Sequence, residues 1–398
     1  MKYHLTAFLA LLCFQLCFAQ DTTRLPKYSE IEHSHPQIPK QSGFFIYSHN
    51  QKFKLNMGGY IKVVGVYELA NGMEDHINFI TYDIPVPKPE GLSNIFVLNA
   101  HQSRLYASMT GDVGFTYRLY LEAGFDGQDG KFIVRQAYGK LGNFLIGQTW
   151  STIVDMGACP QTVDGEGPNT ETIFRTAVVR YSHPVGKRIS LAAALETPTV
   201  SPDLGKQIEN PGQAFPDLIA TIRYAGLKGH VQLGGVYRII DYHDTLVGEK
   251  GKQNGYGISL SGVFHLTKYI SFMSQGIYGQ GIARYLQDIS DRGLDLEIEI
   301  NAIGNREISS IPAMGAFGAL QIRWTPKLSS NLIYSRTHIL EELPPEEYAC
   351  GSYFSANVFW KLFPGVQFAV EYLHGVRENV NNQKASAGRL NIMAKFTF

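Results

Sequence analysis

Between Phe115 and Phe125 the chain alternates without a break: Phe115, Tyr117, Leu119, Leu121, Ala123 and Phe125 share one side, and Thr116, Arg118, Tyr120, Glu122 and Gly124 share the other. A period of two puts successive side chains on opposite faces of an extended strand, so this segment predicts a strand with one apolar and one polar face. The alternation recurs at 55–69, 96–110, 132–141, 143–149, 174–183, 188–197, 216–225, 229–241, 255–266, 268–285, 313–324, 328–338, 348–362, 365–376 and 387–398, which makes sixteen predicted strands. Past the amino terminus there is no run of eighteen apolar residues, so no membrane-spanning helix is expected.

The connections sort into two kinds. Tight turns such as Thr110-Gly111-Asp112, Lys140-Leu141-Gly142-Asn143, His183-Pro184-Val185-Gly186 and Leu362-Phe363-Pro364-Gly365 alternate with longer segments at about 70–95, 150–173, 198–215, 242–254, 286–312 and 339–347. Short turns at one end and long loops at the other are what an up-and-down barrel in an outer membrane requires. Inside hydrocarbon every backbone donor and acceptor must be paired, so a spanning sheet has to close on itself. A soluble sandwich would also alternate, but sixteen strands are too many for one. The expected fold is therefore all-β: a transmembrane up-and-down antiparallel barrel of sixteen strands, with its apolar face toward lipid and its polar face toward the lumen. The last strand places Leu390, Ile392, Ala394, Phe396 and Phe398 on one face, and so resembles the terminal strand of outer-membrane barrels.

This sorting makes sense of averages that look ordinary for a soluble protein. Lys and Arg number 35 against 35 Asp and Glu, and the mean hydropathy is −0.10. Zero net charge disfavours a nucleic-acid partner, and abundant Gly, Tyr and Phe with few charges exclude disorder. Residues 1–19, with Lys2 ahead of the apolar run Leu5 to Phe18 and Ala19 at the cleavage position, read as a signal peptide. Residues 20–52 are polar and Pro-punctuated, a short periplasmic-side leader, and 53–398 form the barrel. The expected location is the outer membrane of a Gram-negative bacterium, with membrane lipid as a partner. Cys159 and Cys350 are expected to be free thiols.

Parity assigns Arg104, Arg118, Arg135, Arg180, Arg223, Arg238, Arg323, Arg389, Lys62 and Lys395 to the lumen, against Glu68, Glu122, Glu196 and Glu371. Cations lining a narrow passage concentrate anions, and a guanidinium fork can hold a carboxylate in two hydrogen bonds. The third long-side connection, 150–173, carries Asp155, Asp164 and Glu166; folded into the barrel, these acids would face the arginines and set a transverse field.

The run from Arg135 to Thr152, followed by Asp155, Pro160, Thr162-Val163-Asp164 and Gly167-Pro168, resembles the core motif of the DcaP-like trimeric outer-membrane porins. The resemblance implies a sixteen-stranded homotrimer with an inward third loop that takes up small anionic organic solutes, dicarboxylates among them. It places Arg135 as the motif arginine, and Asp155 and Asp164 as loop acids. Residues 20–52 are too short and Pro-rich for the helical extension that members of the family can carry. A sugar-selective channel is the alternative within transport, with Tyr60, Tyr106 and Tyr120 as an aromatic slide. An outer-membrane hydrolase would need a Ser/His pair that no spacing here supplies, and no cofactor or metal motif occurs.

Overall fold

The computed structural model describes residues 43–49, 52–70, 72–87, 94–112, 114–125, 130–202, 207–300, 306–341 and 343–398. The expected signal peptide and most of the leader lie outside these residues. Sixteen strands form one closed antiparallel barrel. They are β1 (Phe53–Ala70), β2 (in two pieces, Ile95–Asn99 and Arg104–Asp112), β3 (Thr116–Gly124), β4 (Ile133–Leu141), β5 (Phe144–Trp150), β6 (Arg175–Val185), β7 (Ile189–Glu196) and β8 (Asp217–Gly226). There follow β9 (Gly229–Asp244), β10 (Glu249–His265), β11 (Ile270–Gln280), β12 (Pro312–Arg323), β13 (Leu328–Ile339), β14 (Tyr348–Phe363), β15 (Val366–Asn379) and β16 (Lys384–Thr397). Each expected strand is present. Closure comes from β1 and β16, paired from Tyr60↔Thr397 to Ala70↔Gly388, and Phe398 exchanges both backbone hydrogen bonds with Gly59. Phe44–Tyr47, within the expected leader, pair with the start of β1 and cover an edge that β16 leaves open.

The outward face is apolar as parity requires: Leu119, Leu121, Ile146, Leu332, Ile392 and Phe396 are exposed. Two segments differ from the expectation. Residues 242–254 are mostly strand rather than loop, because β9 and β10 continue their ladder to Asp244↔Glu249. The strand expected over 268–285 stops at Gln280, where Gly281 takes a φ of 61° that turns the chain into the lumen as two short 3-10 segments, Ala283–Tyr285 and Gln287–Ile289.

The larger correction concerns the interior, which is not uniformly polar. Phe317, Ile333, Tyr353 and Leu373 point inward from β12 to β15 and pack with Met73, Phe79 and Ile84 of the first external loop, L1 (71–94). Ile277, Ala313 and Ile339 likewise pack with Tyr285, Leu286 and Ile289 of the sixth, L6 (281–311). Glycines on the inner wall make room for this filling: a Cβ on Gly351 would lie 2.0 Å from Thr81 Oγ1, and one on Gly375 would lie 2.7 Å from the Phe79 ring. Asp288 of L6 ties the filling together, accepting hydrogen bonds from Thr81 Oγ1 (2.6 Å), the Tyr82 amide (3.0 Å) and Tyr348 Oη (2.6 Å). One side of the barrel is therefore packed like a protein core, and two cavities lie on the other side, along β2 to β9.

Candidate pore constriction

The third external loop, L3 (151–174), does fold into the barrel, and its route is set by polar anchors on the inner wall. At its start Glu196 accepts from Ser151 Oγ (2.6 Å) and the Thr152 amide (2.6 Å). Asp155 then accepts from Arg223 Nη1 (3.0 Å) and Ser261 Oγ (2.9 Å) and lies 2.7 Å from His230 Nε2. Burial opposes its ionisation, but the His230 and Arg223 charges outweigh burial and hold the carboxyl well below the usual carboxylate range. Further along, Asn331 and Asn357 both donate to the Gln161 carbonyl (3.0 Å each), Glu371 accepts from the Val163 (3.0 Å) and Asp164 (2.6 Å) amides, and Lys62 Nζ donates to the Val163 carbonyl (2.9 Å). A loop carrying many backbone groups can sit inside a barrel only when they are satisfied in this way.

Between this loop and the β2–β6 wall lies a cavity of about 420 Å³. Arg104, Arg135 and Arg175 line the wall side, and Glu166 and Glu171 line the loop side. Arg135 gets there through a β-bulge: the β3–β4 register runs Glu122↔Gln136 and then Ala123↔Val134, so Arg135 is the extra residue and both it and Gln136 point inward. Glu122 is fully enclosed behind them, 3.2 Å from Arg135 Nε, 3.6 Å from Arg104 Nη1 and 2.9 Å from Tyr120 Oη. Among the described residues, the buried Arg104 Nε and Nη1 and Arg175 Nη1 find no hydrogen-bond acceptor, and Glu171 Oε1 finds no donor. Enclosure, with Asp75 close by, pushes the Glu166 carboxyl up to about 7; enclosure pushes Glu171 up to about 8 despite the nearby Cys159 thiol.

The basic residues expected to line the pore divide into five groups. Arg104 and Arg135 line this cavity. Arg180 and Arg223 line a second one of about 150 Å³ on the periplasmic side of the loop, where Arg180 Nε donates to Thr152 Oγ1 (2.8 Å). Arg118, which donates to Ser108 Oγ (3.1 Å), and Arg323, exposed at the periplasmic rim, lie below the constriction, and Lys395 sits 4.0 Å over the Tyr60 ring. Arg238 and Arg389 do not meet pore water: both are fully enclosed, Arg238 between Asp217 (3.2 Å) and Asp295 (3.0 Å), and Arg389 against Glu68 (2.6 Å). A buried guanidinium needs a carboxylate beside it, and L1 and L6 cover both pairs. Lys62 is spent on anchoring the loop.

Of the three loop acids expected at the constriction, Glu166 lines the cavity. Asp155 is turned to the wall, and Asp164 is turned toward L1, where it accepts from the Phe79 (3.1 Å) and Gly167 (3.1 Å) amides. Sequence reasoning missed Arg175 and Glu171. Arg175 shares parity with the outward Ala177 and Val179, and only the chain's turn into L3 brings it inside, stacked 4.8 Å from the Trp150 ring. Glu171 sits in an irregular loop with no period to read. Tyr106, Tyr120 and Tyr138 form a row, with ring centroids 6.3 and 5.3 Å apart, but Tyr60, Tyr106 and Tyr120 are buried and Tyr120 is tied to Glu122, so the rings do not present open faces.

A sixteen-stranded antiparallel barrel narrowed by an inward third loop defines an outer-membrane channel. Among solved structures, the chain is similar to the outer-membrane channel DcaP of Acinetobacter baumannii, with a TM-score of 0.75 and 18% identity over 90% of this chain and all of that one. It is also similar to Salmonella typhi OmpF (TM-score 0.58, 11% identity, 89% and 100% covered) and to Vibrio cholerae OmpT (0.57, 12%, 89% and 100%). A comparison with curated proteins by sequence finds no match. The profile of the DcaP outer membrane protein family matches residues 44–398, and the chain belongs to that family.

Proposed function

We propose that this channel is a passive porin that works as a homotrimer and prefers small organic anions, carboxylates and dicarboxylates first among them. The observation that carries the reading is the meeting of Arg104, Arg135 and Arg175 in one cavity, where buried N–H groups of Arg104 and Arg175 find no acceptor among the described residues. Unmade hydrogen bonds of buried charged donors are costly, and a solute carboxylate supplies the missing acceptors. Weak, multipoint contact of this kind favours entry and still permits release, as diffusion through a pore requires. Homotrimerisation is supported by the family and by the trimer form described for the similar V. cholerae OmpT. The enclosed tyrosine row argues against a sugar slide as the main selectivity device.

The charge balance at the constriction makes the preference depend on pH. Three guanidinium charges less the enclosed Glu122 leave two positive charges, and ionised Glu166 and Glu171 cancel them. Both loop acids titrate above the ordinary carboxylate range, so they are charged in alkali and neutral in mild acid. Anion preference will therefore strengthen as the pH is lowered from about 9 to about 6, the window in which such raised carboxylates take up protons. Planar-bilayer recording of the purified protein in a KCl gradient tests both statements: a reversal potential on the chloride side that grows toward pH 6 is expected. A cation-selective potential at pH 6 overturns the reading.

A further inference from the structure

The cavity on the periplasmic side of L3 is built differently from the constriction above it. Its roof is the opening stretch of the loop, Ser151 to Gly157, and its walls are strands β4 to β9. Three cations line it, Lys140 of β4, Arg180 of β6 and Arg223 of β8, together with the hydroxyls of Ser182, Ser190 and Thr221. Among the described residues no Asp or Glu lines it, whereas Glu166 and Glu171 line the constriction. Asp155 belongs to the roof segment but is turned to the wall, where it meets Arg223 Nη1, His230 and Ser261. Arg223 Nε is buried and finds no acceptor among the described residues. Such a donor is costly to leave unmade, and an anion's oxygen would satisfy it.

The two cavities share a partition, since Trp150 and Met156 line both. Trp150 is held by an arginine from each side: Arg175 of the constriction lies 4.8 Å from its ring centre, and Arg180 of the lower cavity donates to its carbonyl. The bulge in β4 divides neighbours in the same way, with Arg135 lining the upper cavity and Gln136 the lower. An anion held against Arg175 is therefore separated from Arg180 by a single residue. Adjacent sites for like-charged ions favour onward passage, because an ion entering one displaces the ion in the next.

We infer that the lower cavity is a second binding site for a short-chain carboxylate, in series with the constriction, and that a solute leaving Arg175 is received past Trp150 by Arg180, Arg223 and Lys140. The inference rests on the anion-preference reading and goes beyond it by adding a site with its own lining. At about 150 Å³ the cavity matches one that accepts a benzene-sized molecule, so it takes one small dicarboxylate. The two sites also differ in what can titrate. Glu166 stands among Asp75, Arg135, Arg175 and Arg292, and Glu171 among Cys159, Glu166 and Asp155. The lower lining carries Tyr138 and the three cations, with Asp155 and His230 behind Arg223, and offers no carboxyl. Ionising Glu166 and Glu171 in alkali therefore weakens the upper site and leaves the lower one.

The test is block of the chloride current by succinate, measured on the full-length protein in planar bilayers at pH 6 and pH 9. Wild type is expected to stay blocked at pH 9. Thr221→Asp puts a carboxylate beside Arg223, and should raise the half-blocking concentration about tenfold or more at pH 9 but less than about threefold at pH 6, where the constriction still binds. Thr221→Asn, of the same shape without the charge, should match wild type. Folding is checked by the heat-dependent shift of the barrel on gels, and Lys140→Glu, on the opposite wall, replaces Thr221→Asp if that variant does not fold. Wild type that is anion-selective at pH 6 but unblocked at pH 9 overturns the second site and leaves the constriction reading standing. Block at pH 9 that the added acid does not change, or an equal rise at both pH values, also overturns two sites in series. A cation-selective reversal potential at pH 6 overturns the anion reading on which the inference rests.

Discussion

Replacing Arg104, Arg135 and Arg175 with glutamine will abolish the anion preference expected near pH 6 and make the channel cation-selective at alkaline pH. Two unit charges about 7 Å apart interact by about 1 kcal/mol at an effective dielectric of about 40, so three guanidinium groups together change local anion occupancy by roughly a hundredfold. Glu122 is included as Glu122→Gln, because a fully enclosed carboxylate stripped of Arg104 and Arg135 would destabilise the barrel and obscure the result. The resulting constriction keeps only Glu166 and Glu171. It should be cation-selective near pH 9 and nearly unselective near pH 6, where those acids are protonated. Reversal potentials at the two values measure this, and a variant that keeps the wild-type chloride preference would show that selectivity resides elsewhere, Arg180 and Arg223 below the loop being the next candidates.

The second large effect is expected from Asp155→Ala. This carboxylate holds the descending limb of L3 through Arg223, His230 and Ser261, and removing it strands a guanidinium in a nearly closed site. Breaking a buried pair by deleting one partner costs about 3–5 kcal/mol, enough to release a loop held at a few points. Single channels of the variant should show larger, noisier conductance and weaker anion preference, while the barrel, whose ladders are untouched, still folds. Quiet channels of wild-type size would show that the Glu371 and Gln161 anchors suffice alone. Glu371→Gln is the informative companion, since it weakens the far end of the same loop.

Much of the wall was legible in the sequence because a strand's side-chain period is fixed by backbone geometry. Phe115 to Phe125 shows its faces directly, and the same reading located every strand and placed Arg104, Arg118 and Arg223 in the lumen. Arg135 is a partial case: its motif marks it, but a bulge that no alternation announces lets Arg135 and Gln136 both face inward. Arg238 and Arg389 show the limit of parity. They point inward as read, yet the loops that cover them carry no period, so neither their partners nor their enclosure was visible.

The order, number and facing of the strands, and with them the closed barrel and its lipid-facing surface, followed from the sequence alone, because hydrogen-bonded pairing in hydrocarbon admits few arrangements of such a pattern. Where the pore runs, and which charges meet in it, was decided only by the tertiary structure. L1 and L6 fill one side of the lumen with apolar side chains, and L3 carries Glu166 and Glu171 into one cavity with Arg104 and Arg135, residues far apart in the chain. Those contacts depend on individual anchors such as Asp155, Asp288 and Glu371 satisfying particular backbone and side-chain groups, and a local repeat carries no information about which distant group each anchor will find.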